Sequence, residues 1–340
     1  MSRRPFVRLP TDGRPMLDIL SLGRLGPSGR FTPAQIEQIQ RTVRRVPEVM
    51  VKVTGGGTKA GAVAAHFAYI SRKGELTIET GDGDRIADRE AQKALIRDWH
   101  LELSTGQYRA PRDGRVTARK AKLVHNIVFS MPSPTPPDKV LAAARKFARE
   151  KFALQHRYAM VLHTDQQHPH VHMVVKAESE EGQRLHIDKA MLRTWREDFA
   201  RLMREQGIAA NATPRAVRGR NKGKTRDAIF RAQQRGASNA VRERVTAVAK
   251  QLAQTGSFHD PARSSLLETR KTVLGAWLQI AEKLDAQGEV ILAADVRNFA
   301  GHLPPVMTDS EALAVKLAPH LRRKYTEPAG LPNRDVERNR

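Results

Sequence analysis

The densest chemistry in the sequence lies in one short stretch, His163-Thr164-Asp165-Gln166-Gln167-His168-Pro169-His170-Val171-His172-Met173-Val174-Val175. Four of the chain's twelve histidines fall within ten residues, where chance would place about 0.35. Tyr158 to His163 and His170 to Lys176 read as two strands joined by the turn Thr164 to Pro169, which makes a hairpin. Side chains two apart on a strand share a face, so His170 and His172 present imidazoles about 6.6 Å apart along the backbone. His163 ends the partner strand and can complete a three-nitrogen site with open positions for water or a substrate oxygen, the catalytic kind of metal site. A lone histidine is usually satisfied by a backbone group. Three convergent ones beside an aspartate favour an ion between them. Asp165 could orient a ligand imidazole or take a proton as base, and His168, on the turn, is left without a role.

Such a metal site needs a nucleophile. Tyr69 stands in His66-Phe67-Ala68-Tyr69-Ile70-Ser71-Arg72, on a helix expected over about Ala60 to Ser71, directly after the small-residue turn Thr54-Gly55-Gly56-Gly57-Thr58. Val63, Phe67 and Ile70 form its apolar stripe, which leaves His66 and Tyr69, at i and i+3, together on another face. A phenol with a pKa near 10 attacks poorly at neutral pH without a base or a polarised electrophile. Spacing alone leaves Tyr69 open between a nucleophile and a tyrosine at the edge of the core.

The elements that would hold these groups alternate between helix and strand. Strands are expected over Val49 to Val53, Leu76 to Glu79 and Lys120 to Met131, and helices from Thr32-Pro33 to about Arg45, over Ile86 to Leu103, Asp138 to Leu154 and Asp188 to Gln206. With the hairpin included, this pattern favours an α+β domain, a largely antiparallel central sheet with flanking helices, over a doubly wound parallel sheet. Further helices over Val241 to Gln254, Leu266 to Ala286 and Asp309 to Lys324 suggest a small C-terminal helical domain. The divisions expected are a basic arm and short helix over 1–47, the main domain over 48–212, a basic linker over 213–245, the helical domain over 246–325 and a tail over 326–340.

Charge narrows the partners. Fifty-nine Lys and Arg against 36 Asp and Glu give a formal net charge of +23, which suits a polyanion held by counterion release. The run from Asn211 to Arg244 carries ten basic and two acidic residues. Read functionally rather than as a solvated face, Arg215, Arg218, Arg220, Lys222, Lys224 and Arg226 would contact backbone phosphates. The sequence has no run of 18 apolar residues and no apolar segment behind its first residues, so a soluble cytoplasmic protein without membrane insertion is expected. The absence of cysteine removes thiolate metal sites and a Cys nucleophile.

The hairpin, in the form His-x-Asp-x-x-His-Pro-His-x-His, resembles the His-hydrophobe-His signature of the HUH endonucleases, and within them the conjugative relaxases or mobilisation nucleases. The glycine turn leading to His66-Phe67-Ala68-Tyr69-Ile70, the strand His125-Asn126-Ile127-Val128-Phe129-Ser130-Met131-Pro132, and Asn211-Ala212-Thr213-Pro214-Arg215-Ala216-Val217-Arg218-Gly219 resemble the same family, together covering roughly Met50 to Gly219. The resemblance implies nicking of single-stranded DNA at a plasmid or integrative-element origin of transfer. His163, His170 and His172 would hold a divalent ion, Mg or Mn first and Zn as the alternative. Tyr69 would attack to leave a 5′-phosphotyrosyl link, with Asp165 assisting and Ser130 touching DNA near the nick. Relaxosome accessory proteins and a type IV secretion coupling protein would be partners by the same likeness. Two other readings fit part of the sequence. A histidine-triad nucleotide hydrolase or transferase fits the alternating His168 to Val174, and a non-enzymatic basic nucleic-acid binder fits the charge but not the clustered histidines.

Overall fold

The structure is a computed structural model that describes residues 6–7, 29–101, 107–112, 115–220 and 239–326. The chain divides into two compact units, the first comprising residues 1–16 and 33–213 and the second residues 17–32 and 214–340. The expected basic arm falls mostly outside the described residues, as do Lys222, Lys224, Arg226 and the tail beyond residue 326.

The first unit opens with β1 (Phe6–Val7) and α1 (Pro33–Val43), followed by β2 (Met50–Gly55) and α2 (Ala60–Ile70). Next come β3 (Ile78–Thr80), β4 (Arg85–Ile86), α3 (Arg89–Asp98) and the separate hairpin β5 (Gln107–Arg112) and β6 (Arg115–Lys120). The unit is completed by β7 (Val124–Ser130), α4 (Pro137–Lys151), β8 (Tyr158–His163), β9 (His170–Lys176), β10 (Arg184–Leu185) and α5 (Lys189–Glu205). Six strands form one sheet in the order β2-β7-β9-β8-β3-β4, every pairing antiparallel. The α+β expectation, an antiparallel sheet flanked by helices, is met.

Local sequence explains most element ends. Pro137 opens α4 at a position where its missing N–H costs nothing. The side chains of Asp88 and Asp188 cap α3 and α5, accepting from Ala91 N and Met191 N at 2.7 Å each. The helix expected over Ile86 to Leu103 is shorter than its spacing suggests, because Arg85–Ile86 is taken into the sheet beside β3 and the Asp88 cap then sets the start. The pair β5–β6 and the pairing of Phe6–Val7 with Arg184–Leu185 were not foreseen.

Strand alternation gives the sheet two faces of different character. On one face Val51, Ile127, Phe129, Met160, Val171, Met173 and Val175 pack against α4 and α5. There Phe129, Phe147, Phe152, Trp195 and Phe199 stack with ring centroids 4.8 to 6.1 Å apart. A buried ion pair, Lys151 Nζ to Asp198 Oδ2 at 3.0 Å, ties the two helices together. On the opposite face Ala159, Val161 and Val174 pack under Val63, Phe67 and Ile70 of α2 and under Trp99 and Leu101.

The second unit contains α6 (Asn239–Thr255), α7 (Arg263–Ala286), α8 (Val290–Gly301) and α9 (Asp309–Thr326). Helix α8 went unread in the sequence, since its apolar opening Val290-Ile291-Leu292 lacks a clear polar face and Val290 and Ile291 are in fact exposed. Residues just past the first unit are fastened to these helices: Trp277 Nε1 donates to Val217 O at 3.0 Å and the Arg270 guanidinium donates to Gly219 O at 3.0 Å. No helix among the described residues is long and apolar enough to cross a membrane.

Candidate active site

The sheet register gathers the histidines. Ser130 of β7, His170 of β9 and His163 of β8 are direct cross-strand partners and form one row across three strands. The row two residues along holds Lys52, Val128, His172 and Val161. Residues in register share a face, so the three imidazoles converge on the side of the sheet that α2 only partly covers. Their ring centroids lie 4.5 to 5.1 Å apart, and one ligand nitrogen from each lies within 4.8 Å of the others.

Backbone carbonyls hold two of these rings. His163 Nε2 donates to Ile70 O at 2.6 Å, and His170 Nδ1 donates to His168 O at 3.0 Å. A carbonyl can only accept, so Nδ1 of His163 and Nε2 of His170 keep their lone pairs. This is the arrangement that orients a metal-ligating imidazole through its other nitrogen. Burial, then the neighbouring His163 and His170, with His66 and Lys52 adding to it, push the His172 pKa down to about 3. Burial chiefly lowers that of His163 as well. Neutral imidazoles are the form a cation binds, so the donor set fits a divalent ion, with nitrogen-only ligation by three residues and open positions left for oxygen.

Tyr69 lies on the last turn of α2, whose Val63, Phe67 and Ile70 are buried as the stripe required, and the tyrosine is 50% exposed. Its ring stacks beside His66 at 6.3 Å between centroids, and His66 in turn stands 6.4 Å from His172. His66 Nε2 is a buried nitrogen without a hydrogen-bond partner among the described residues. The helix can sit this close to the sheet because of the glycines before it. A Cβ on Gly56 would stand 2.2 Å from Val124 O, and one on Gly57 would stand 2.6 Å from Val63 Cγ2, while Gly57 O accepts from Leu123 N at 2.6 Å.

Arg72 is the residue that sequence reasoning passed over. It follows α2 with φ 52°, and Lys73 and Gly74 after it also have positive φ. That reversed backbone turns the guanidinium back across the site. Its NH2 group donates to the Asp165 carboxylate and approaches His163 Nδ1 at 3.4 Å, and Cζ lies 5.7 Å from the Tyr69 ring centroid. Desolvation works against it, but the charge and hydrogen bond of Arg72 together outweigh that and hold the Asp165 pKa below the usual carboxylate value. Asp165 Oδ1 is 3.8 Å from His163 Nδ1. The signal was present in Ser71-Arg72-Lys73-Gly74, but two non-glycine residues with positive φ in succession are not legible from residue type.

The remaining expected residues separate. Ser130 is buried, and its hydroxyl donates to Pro169 O at 3.1 Å, bracing the turn that leads to His170. Exposed His168 accepts at Nδ1 from Ser133 N at 3.1 Å. Arg215 and Arg220 are exposed, Arg218 is half-buried, and all three belong to the second unit.

Known proteins resemble the chain in sequence and, loosely, in structure. Residues 69–208 match the family described as relaxase, MobA/VirD2-like, nuclease domain. The T-DNA border endonuclease VirD2 of Agrobacterium fabrum is 27% identical over 191 residues, covering 51% of this chain and 41% of that protein. The VirD2 of Rhizobium rhizogenes is 28% identical over 191 residues, covering 51% and 42%. The chain thus spans less than half the length of these curated relatives. Among solved structures, the chain is loosely similar to one described under "Molecular Basis of Vancomycin Resistance Transfer in Staphylococcus aureus" (TM-score 0.31, 11% identity, 49% of this chain and 98% of that one). It is similarly close to a metal-bound conjugative relaxase TrwC in complex with oriT DNA (TM-score 0.30, 12% identity, 75% and 98%). The family match bears out the resemblance drawn from the sequence. Over residues 69–208 the chain is thus similar to relaxase nuclease domains of the MobA/VirD2-like family.

Proposed function

We propose that this chain is a DNA relaxase that nicks one strand at an origin of transfer and carries its 5′ end as a tyrosyl ester. The observation that carries the reading is the meeting of two separate sequence elements: the α2 helix bearing Tyr69 ends against the histidine rows, with Ile70 O bonded to His163 and Arg72 bonded to Asp165. The curated relatives, T-DNA border endonucleases, support the choice of substrate. The histidine-triad and non-enzymatic readings draw no support from the family match.

In the proposed reaction the Tyr69 oxygen attacks phosphorus, the bond from phosphorus to the 3′ oxygen breaks, and the tyrosine proton leaves with the released 3′-hydroxyl through solvent or a nearby base. The product keeps an ester bond of similar energy, so the reverse attack reseals the strand. His163, His170 and His172 would hold a divalent ion, Mg or Mn in preference to Zn, which when bound polarises the scissile phosphate. An aspartate stabilised as the anion by Arg72 is a weak proton acceptor, so orienting the Arg72 and His163 side chains suits Asp165 better than acting as base. The exposed arginines at 215 and 220 supply sequence-independent affinity for phosphates. Relaxosome proteins and a secretion coupling protein remain the partners inferred from the resemblance, and a cytoplasmic site of action follows from the same reading.

Incubation with a labelled single-stranded origin oligonucleotide and Mn tests the proposal. A protease-sensitive covalent adduct that maps to Tyr69 supports it, and binding without cleavage at any divalent ion concentration overturns it.

A further inference from the structure

A second polar recess lies on the other face of the sheet, between the β3–β4 end and α4. It has a volume of about 230 Å³ and is lined by Glu79, Gly81, Arg85, Arg145, Arg149 and Tyr158. Tyr158 belongs to the same face as Met160 and Val175, opposite the histidines, so the recess is separate from the site described above.

Three groups line it toward a ligand, and of these Arg85 also pairs with Glu79. Tyr158 is only 5% exposed, and its hydroxyl has no hydrogen-bond partner among the described residues. Its ring is fixed against Gly81, where a Cβ would stand 2.9 Å from the ring. Arg145 is already committed, donating through Nε and NH2 to the two oxygens of Glu79 at 2.7 and 2.6 Å. With Glu79 so engaged, Arg85 reaches it only at 3.8 Å, and Arg149 has no carboxylate partner among the described residues. Two guanidinium groups and one phenol therefore face a small hollow, while Asp82 stands near enough to influence Tyr158. Burial is the main cause that raises the phenol pKa, which keeps it a hydrogen-bond donor. Planar guanidinium forks and a hydroxyl donor suit a tetrahedral oxyanion. The volume is below the roughly 300 Å³ at which pockets for whole drug-sized ligands begin, so the hollow suits a group and not its carrier.

We propose that this recess is a second phosphate-binding site, taking one phosphate group on the back of the nuclease sheet. The chemistry is shared by a backbone phosphate of a nucleic-acid strand and by free phosphate; only the choice of nucleic acid as carrier rests on the relaxase reading.

The test uses the full chain and the variants Tyr158→Phe, Arg149→Gln and Arg85→Gln, none of which touches the histidine site. Binding of a single-stranded oligonucleotide is followed across salt concentration, and inorganic phosphate is titrated separately by calorimetry. For a backbone phosphate, each arginine variant lowers the salt slope by about 0.7. Tyr158→Phe then weakens oligonucleotide binding roughly tenfold with little change in slope. Loss of inorganic phosphate binding in Tyr158→Phe, with unchanged oligonucleotide curves, assigns the site to free phosphate. If Tyr158→Phe alters neither ligand in a protein whose thermal unfolding is unchanged, the site is refuted, even if the arginine variants reduce the slope as any surface cation would. Adduct formation at Tyr69 is scored on the same variants, so failure here is distinguishable from failure of the relaxase reading.

Discussion

Arg72 and Asp165 form an ion pair across the site, and the same guanidinium nitrogen stands 3.4 Å from His163 Nδ1. One side chain at the end of the tyrosine helix thus reaches both a metal-ligand candidate and the carboxylate beside it. The pair is partly open to solvent, with the side chains 30% and 52% exposed, so its contribution to stability is about 0–1 kcal/mol. Arg72→Gln is expected to leave the melting temperature nearly unchanged and to strengthen Mn affinity by roughly tenfold, because it removes a cation that donates toward the His163 Nδ1 lone pair an ion would need. Calorimetric titration of the folded variant checks this. Wild-type affinity would show that Arg72 does not compete for that nitrogen.

Tyr69→Phe removes one exposed oxygen and should fold normally. Covalent adduct formation is expected to drop by at least about a thousandfold. Gel analysis of protein with labelled oligonucleotide reads the result, and an adduct that persists and maps to His66 would transfer the nucleophile role to the imidazole stacked beside Tyr69.

Gly56→Ala is expected to destabilise the domain by more than about 1–3 kcal/mol, because the new methyl meets a backbone carbonyl that cannot step aside. Gly61→Ala, inside α2 with nothing within 4 Å of the added atom, is expected to stabilise by roughly 0.4–1 kcal/mol. Chemical denaturation of the two variants gives opposite signs if the helix approach depends on the glycine turn.

Acid stability carries the signature of buried neutral histidine. His125 Nε2 donates to Leu185 O at 3.2 Å, and burial first, then the charge of Lys122, lowers its pKa to about 4. The folded value is below the unfolded value near 6.5, so the stabilisation is complete above about pH 6.5 and declines as pH falls toward 4, where the unfolded chain takes a proton that the native state refuses. The expected slope is about 1.4 kcal/mol per pH unit from this group. Urea unfolding at several pH values should show a shallower dependence in His125→Gln, and an unchanged slope would refute the assignment.

The hairpin was legible in the sequence because two rules act on the same residues: alternation placed His170 and His172 on one face, and Pro169 bounded the turn. The apolar stripe of α2 was equally legible, and Val63, Phe67 and Ile70 are all buried. Arg72 was not, since its reach depends on a backbone reversal that residue type does not announce. Ser130 illustrates a different limit. The resemblance implies a contact with DNA, and within the fold the same hydroxyl donates to Pro169 O. Its position in the row with His170 and His163 is a matter of pairing register, which a strand prediction alone does not supply. The pair β5–β6 escaped notice because its segments, rich in arginine, carry little apolar alternation.

The pleat of β9 divides its residues between two tasks. His170 and His172 look toward the site, while Val171, Met173 and Val175 fill the core beneath α4 and α5. Losing or gaining a single codon within that strand would exchange the two sets, driving imidazoles into the aromatic core and presenting valine and methionine to the substrate. Descent with substitution can therefore tune this ribbon, but changes of length are confined to the turn from Thr164 to Pro169.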